Sequence, residues 1–499
     1  MAPTTTGKPK RPAKTASKTA RTQSGAKSAS RKAGGTKPAK RRSPKTGPAS
    51  IVNYTTALRW LYDHVDYERL RVVPYNNRTF SLERMRKLLA ALGSPHQQLK
   101  FVHVAGTKGK GSSCAMLASM LQECGYTVGL FTSPHLIDQC ERISIDGRMI
   151  SHGDMADLIK MIAYKERVLG TNKPSFFEIM TAAALRYFAD QAVDIVVLET
   201  GLGGRMDSTN VVTPLVTAMT HISLDHMNIL GPDLASIARE KAGVFKKGVA
   251  AVSVEQEPAV AKVLDEVADK AEAPLEYTGK QIDFSYRFEA SRDLGPHTRV
   301  CITTPTSRWD HLPVPLRGEH QAVNCGLALA ILDKLKAHDF HIPEEKLIAG
   351  LNKTVLPGRM EQVWTQPRVI IDGAHNAASI SALIRALGAH ISYDSLVMIF
   401  GCGQDKDAAG MLKQISLGAD KIIFTRARAN PRAHEPADLL TEFADLSGKM
   451  AQVAPNLQDA LQLAGRAVSR EDLIIVTGSF YLVGEARKYF LDKANKKSR

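Results

Sequence analysis

The stretch 101-FVHVAGTKGKGSSCAMLASMLQE-123 sets the fold. Phe101 to Val104 is a short apolar run and Gly106 to Gly111 a glycine-rich turn, while Ser112 to Glu123 carries Met116, Leu117, Met120 and Leu121 at helical spacing. The order is strand, phosphate loop, helix, which opens a parallel α/β unit. Gly106, Gly109 and Gly111 let backbone N–H groups converge on phosphate oxygens, the helix adds its positive end, and Lys110 reaches the outer phosphates. The spacing departs from the usual G-x-x-x-x-G-K-[ST], because Gly106 precedes Gly109-Lys110 by only three positions. A glycine turn without a ligand is the competing reading of this loop alone.

Working outward, short apolar strands are expected at 127–132, 193–198 and 215–219, with helical stretches between them, as in strands covered on both faces. Upstream, 54–72 and 81–92 carry helix-period apolar positions around a loop with Pro74, Asn76 and Asn77. From about Arg368 the alternation restarts, with strands at 368–372, 395–400, 420–425 and 473–477 and helical patterns at 434–446 and 456–468. The sequence therefore divides into a tail (1–50), a first α/β domain (51–361) and a smaller one (362–499), with the boundary near Gln362. A chain of 499 residues with 44% hydrophobic residues fills two cores.

The net charge of +16 is concentrated at one end. Residues 1–50 hold fourteen Lys and Arg and no acid, leaving +2 for everything from Ile51 onward. The tail is Lys-, Ala-, Thr-, Ser-, Pro- and Gly-rich, too poor in large apolar residues to offset chain entropy, and is expected to be disordered. It could touch nucleic acid or another polyanion through counterion release, or act only as a solubilising extension. No apolar run spans a membrane and no secretory signal is evident, so the expected compartment is the cytoplasm. The six cysteines are scattered, without the spacing of a zinc site or a disulfide framework.

Two further clusters follow strands, where open α/β sheets bind ligands. In 198-LETGLGGRMDSTN-210, Glu199 stands at the strand's carboxyl end as a candidate magnesium ligand. In 221-HISLDHMNILG-231, Asp225 and His226 offer a carboxylate and an imidazole, and 236-SIAREKAGVF-245 places Lys241 on a helix. Each residue taken singly is more often structural; their order beside a phosphate loop favours metal-assisted nucleotide chemistry.

With these motifs in order, the chain resembles the folylpolyglutamate synthase and dihydrofolate synthase family, relatives of the Mur ligases. The likeness adds 132-TSPHL-136, 141-ERISIDG-147, FFEIMTAAAL from Phe176, 356-LPGRME-361, 370-IIDGAHN-376 and 478-GSFYLVGEAR-487. It implies a P-loop-type ATPase domain with a mostly parallel sheet and a smaller C-terminal Rossmann-like domain, in a monomer. It also implies an ATP- and Mg2+-dependent ligase that joins glutamate to a folate or to dihydropteroate through an acyl phosphate, with a monovalent cation such as K+ as an optional addition. Position by position, the resemblance assigns Gly106, Thr107, Lys108, Gly109, Lys110, Gly111, Ser112, Asn324, Arg359 and Asp372 to ATP. It assigns Ser133, Glu199, His226 and a carbamylated Lys241 to metal, and Lys110, Lys241 and His375 to catalysis. Phe177, Glu178, Arg205 and Asp207 fall to the pteroate or folate side. The family loop usually reads GTNGKGS or GTNGKGT, so Lys108 replaces an Asn. A Mur-type ligase acting on a cell-wall precursor shares the chemistry but not the acceptor, and TSPHL and LETGLGGRMDSTN favour the folate branch.

Overall fold

Strand β1 (Phe101–Ala105) is buried along its whole length, and the reason is its central place in an eight-stranded sheet. The other strands are β2 (Val128–Phe131), β3 (Ile143–Ile145), β4 (Arg148–Met149), β5 (Ile195–Glu199), β6 (Val216–Met219), β7 (Ala250–Ser253) and β8 (Leu275–Tyr277). Their order is β4-β3-β2-β5-β1-β6-β7-β8, parallel except for the β2-β3-β4 edge. Because β5 and β6 flank β1 in parallel register, the loops leaving all three open at one sheet edge. Alternate β1 residues face opposite cores. Val102 and Val104 pack with the helix Lys110–Glu123, and Phe101 packs with the helices Tyr54–Tyr62 and Phe176–Asp190.

The structure is a computed structural model and describes residues 47–67, 76, 79–291, 295–314, 317–428, 430 and 432–497. The expected disordered tail, up to residue 46, and residues 68–72 of the expected 54–72 helix lie outside these, while Asp63–Tyr67, expected to continue that helix, are described and are not helical. The helix there runs Tyr54–Tyr62, capped by Asn53, whose side chain accepts from Thr56 N. Residues 46–499 form one compact unit. Among the described residues no helix is long and apolar enough to cross a membrane.

An antiparallel sheet of β9 (Asp283–Ser291), β10 (Gly295–Thr303) and β11 (Arg308–Val314) follows, which the sequence reading did not anticipate. Between it and the main sheet runs the helix Glu319–Leu335, buried nearly all round. A side chain at Gly326 would strike the Phe284 ring at 2.4 Å, so glycine lets β9 and this helix meet. The third sheet orders β12 (Glu361–Thr365), β13 (Arg368–Ile371), β14 (Leu396–Phe400), β15 (Lys421–Phe424), β16 (Met450–Val453) and β17 (Leu473–Thr477) as β12-β13-β17-β14-β15-β16. Only β12 is antiparallel. The restart of strand–helix alternation near Arg368 is thus real, with β12 added ahead of it, and the fold is the expected α/β class.

Candidate nucleotide-dependent active site

The loop after β1 owes its shape to two glycines in the left-handed region, Gly106 (φ 143°) and Gly109 (φ 90°). A Cβ on Gly106 would lie 1.8 Å from Thr220 Oγ1, and one on Gly109 would lie 2.1 Å from Asn324 Oδ1. The Thr107 and Lys108 amides both donate to the His221 carbonyl, at 3.0 and 3.1 Å, pinning the loop to the segment after β6. No side chain caps the helix that begins at Lys110. Its first N–H groups, at Gly109 to Ser112, are the ones placed for an anion, and Lys108 contributes its side chain. Gly109→Ala is expected to weaken nucleotide binding at least tenfold with the fold retained, measured by ADP titration calorimetry. Unchanged affinity would remove the close Gly109–Asn324 approach from the site.

Behind this loop stands Glu199, the last residue of β5, only 3% exposed. Its Oε2 accepts from Ser133 N at 3.1 Å, and Lys110 Nζ lies 3.9 Å from its Oε1. Burial pushes its carboxyl up, opposed first by the Lys110 charge. Lys241 Nζ donates to the Gly106 carbonyl at 2.8 Å, and Lys110 Nζ reaches the same oxygen at 3.3 Å. Burial, then repulsion from Lys110, lowers the Lys241 amine to about 7. Lys241 sits beneath the loop and is not among the residues lining the cleft.

His226 starts a short helical turn with φ 51° and lines the cleft beside Asp225. The protein around its ring lowers it to about 4, with Asp225 opposing and Lys406, Lys241 and Lys110 assisting. Burial alone would raise Asp225, but His226, Lys406 and His375 hold its carboxyl well below the ordinary range. Lys406, absent from the sequence reading, reaches across from the segment after β14 to within 3.7 Å of Asp225. Its only sequence signal is the turn 401-GCGQDKD-407 at the carboxyl end of a parallel strand.

The second wall comes from the third sheet. Asp372 follows β13 and accepts from Met360 N and Ala374 N, both at 2.9 Å, and burial pushes its carboxyl up. The Arg359 guanidinium stands 4.9 Å over the Phe480 ring. His375 Nδ1 lies 2.8 Å from the Gly373 carbonyl, so Nδ1 carries the proton and Nε2 keeps its lone pair. Burial and the Lys406 charge lower that imidazole to about 4, leaving it neutral at pH 7. Asn324 is 6% exposed, its amide donating to Gln321 Oε1 at 3.2 Å. Together these elements enclose a cleft of about 1330 Å³.

At its far end Phe177, Glu178 and Asp207 line the wall, joined by Tyr67 and Phe80, whose rings are 5.0 Å apart and which the sequence reading missed. Glu178 and Asp207 are engaged by the protein itself. Arg84 Nε donates to both Glu178 oxygens at 2.9 Å, and Ser175 N donates to Oε2 at 2.7 Å. Asp207 accepts from the amides of Gly201 (3.0 Å), Leu202 (2.8 Å) and Thr209 (3.0 Å). These carboxylates shape the wall. Arg205 is not brought to the cleft; it pairs with Glu240 at 2.8 Å with half its side chain exposed. Arg84→Met leaves Glu178 buried without its cation and is expected to cost about 3–5 kcal/mol in urea unfolding. A cost below about 1 kcal/mol would contradict that pairing.

The Mur ligase middle-domain model matches residues 104–332, and the model of the Mur ligase glutamate ligase domain matches residues 358–480. The Bacillus subtilis dihydrofolate synthase/folylpolyglutamate synthase is 36% identical over 412 residues, covering 82% of this chain and 94% of that protein. The folylpolyglutamate synthase of Lacticaseibacillus casei is 31% identical over 452 residues, covering 88% and 99%. Among solved structures, Mycobacterium tuberculosis folylpolyglutamate synthase complexed with ADP superposes with a TM-score of 0.78 at 31% identity, over 89% of this chain and 99% of that one. E. coli FolC in complex with DHPP and ADP gives 0.76 at 28% identity, over 90% and 99%.

Proposed function

Since the chain belongs to the folylpolyglutamate synthase/dihydrofolate synthase family of Mur-type ligases, we propose that its cleft joins L-glutamate to a folate or dihydropteroate carboxylate at the expense of ATP. The observation that carries this reading is the convergence of an uncapped helix start, Lys110 and Glu199 at one sheet edge, faced by Asp372 and His375 from another sheet.

The triphosphate would lie along the amides of Gly109 to Ser112, with Lys110 on its outer phosphates and Asn324, Arg359 and Asp372 on the nucleoside side. Ser133, Glu199 and His226 line the cleft and would offer a hydroxyl, a carboxylate and an imidazole to Mg2+, and Glu199, buried beside a lysine, is the carboxylate a cation would complete. When bound, Mg2+ supplies charge neutralisation to the phosphates. Lys241 supports the same region from beneath the loop, and its low-lying amine is the form that adds CO2 to become a carbamate.

In the first step the acceptor's carboxylate oxygen attacks the γ-phosphorus, giving an acyl phosphate and ADP. The cationic group of Lys108, Lys110 and Lys406 holds the transferred charge while the two walls keep water out. In the second step the glutamate amine attacks the acyl carbon, phosphate leaves, and a proton departs from nitrogen. We assign the uptake of that proton to His375 Nε2, left unprotonated in the tautomer that the Gly373 contact selects. The Phe177, Tyr67 and Phe80 rings line the cleft, the last two tilted 42° to each other, and would supply the aromatic contacts for the pteridine end of the acceptor.

Mass spectrometry of the purified chain with Mg-ATP and glutamate tests the reading, with dihydropteroate and tetrahydrofolate offered separately. A mass gain of one glutamate on dihydropteroate, or of one or more on tetrahydrofolate, is the expected result. ATP turnover with neither acceptor gaining mass would overturn it.

A further inference from the structure

Away from the cleft, three different metal-ligating side chains converge on one point. Asp138 caps the 3-10 turn Gln139–Arg142, Cys140 lies within that turn, and His152 opens the helix His152–Lys165. The β3–β4 hairpin between them doubles the chain back and returns His152 to the turn it left. One atom from each residue, a carboxylate oxygen, a sulfur and an imidazole nitrogen, lies within 4.8 Å of the other two, and among the described residues no other three His, Cys, Asp or Glu side chains do so. None of the three lines the cleft.

Their surroundings fix them in place. Asp138 Oδ1 accepts from the Tyr54 hydroxyl at 2.6 Å and from the Cys140 amide at 2.9 Å, which leaves Oδ2 to His152 Nε2, 3.1 Å away. The His152 ring lies flat on the Tyr54 ring, with centroids 4.0 Å apart and planes 6° apart, so packing as well as charge aims Nε2. Outer contacts of this kind orient the ligands of a metal ion. Burial would raise Asp138, but Tyr54, Cys140 and His152 hold it below its ordinary range, so it is an anion at neutral pH. Burial pushes the Cys140 thiol up to about 12, so without a cation beside it the sulfur keeps its proton. The His152 side chain is 61% exposed and that of Asp138 32%, which gives an ion a way in.

We propose that Asp138, Cys140 and His152 form a Zn2+ site, with water as the fourth ligand. On binding, Cys140 releases its proton to solvent and coordinates as the thiolate. His152 moves its proton to Nδ1 through solvent and coordinates through Nε2, while Asp138 supplies Oδ2. One thiolate and one carboxylate balance the charge of the ion. A thiolate with an imidazole selects Zn2+ over Mg2+ and Ca2+, which keep to oxygen donors. Tetrahedral Zn2+ ligands stand about 3.3–3.8 Å apart. The longest separation here therefore closes by roughly 1 Å, a movement within reach of the exposed His152 ring. The ion would tie the turn to the helix His152–Lys165, next to the segment Ser133–Leu136 that lines the cleft.

The experiment uses the untagged full chain, stripped with chelator and given Mg2+ and ADP to fill the cleft, then titrated with Co2+ as a spectroscopic stand-in. One equivalent is expected to raise a thiolate-to-cobalt charge-transfer band in the near ultraviolet together with tetrahedral d–d bands in the visible, and Zn2+ should bleach both. Elemental analysis after gel filtration in Zn2+ should find one more ion per chain in the parent than in Cys140→Ala. His152→Ala removes a largely exposed side chain, so the fold is retained, and should weaken Zn2+ binding at least tenfold. Zn2+ should raise the melting temperature of the parent by several degrees and leave that of both variants unchanged. A cobalt spectrum without the charge-transfer band, or equal Zn2+ retention by the parent and His152→Ala, would overturn the site.

Discussion

Lys110→Ala is expected to keep the chain folded and to lower ligation by about 10³-fold or more, the range seen when a preorganised charge at a phosphoryl-transfer site is removed. The side chain sits at the first turn of its helix, mostly enclosed, between the Gly106 carbonyl at 3.3 Å and Glu199 at 3.9 Å. It packs against no apolar core, so its loss leaves the sheet and its helices intact. The consequence for Glu199 has a definite sign. Its carboxyl is already raised by burial, and Lys110 is the largest force opposing that rise. Without the lysine the carboxyl climbs further, so residual activity should move to higher pH, its acid limb displaced upward. Steady-state rates from pH 5 to 9, paired with thermal melts, check both parts. A variant within threefold of the parent rate would exclude Lys110 from the chemistry. A parent-like pH profile at a reduced rate would uncouple it from Glu199.

Much of this site was legible because its motifs are local. The β1 run, the glycines and the helix that follows are contiguous, and each is dictated by a short-range requirement: apolar burial on both faces, left-handed backbone at Gly106 and Gly109, helical spacing of Met116 and Met120. The same holds for Glu199 at the end of β5 and Asp372 after β13, since a polar residue closing a fully apolar strand announces itself. What escaped was decided by partners distant in sequence. β9 to β11 alternate rather than run apolar: Val300 and Ile302 face the core while Cys301 does not, and a search for continuously buried strands passes over them. Lys406 looks like any solvated lysine until the fold sets it opposite Asp225. Arg205 departs in the opposite sense, lying away from the cleft, while Glu178 lines the cleft with its carboxylate already engaged. Both lie in motif segments, yet Arg205 is drawn to Glu240 and Glu178 is held by Arg84 and the Ser175 amide, contacts that neighbouring sequence does not reveal.

Lys241→Met should separate stability from function at one residue. In the folded chain the Lys241 amine is buried, lies close to Lys110, and is lowered from its ordinary 10.5 to about 7. The unfolded chain therefore binds the extra proton throughout the window from about 7 to 10.5, and the folded state forgoes it. By linkage, stability rises with pH across that window. The penalty is full below the folded value and gone above the unfolded one. Methionine fills similar volume without the charge and so escapes a penalty on the order of a few kcal/mol at pH 7 to 8. The Gly106 carbonyl, which accepts from Lys241 at 2.8 Å, keeps Lys110 at 3.3 Å as a partner, so the exchange does not orphan it. The variant is expected to melt several degrees above the parent at pH 7, with the gain vanishing as pH approaches 10.5. Ligation should fall at least 100-fold, because the amine that sits under the phosphate loop, and any carbamate built on it, is gone. Melts at pH 7, 8.5 and 10 read the first effect and turnover reads the second. A variant less stable than the parent at every pH would show that the buried amine is stabilising as it stands. A variant that is stabilised yet still turns over normally would leave Lys241 as a strained residue with no part in the reaction.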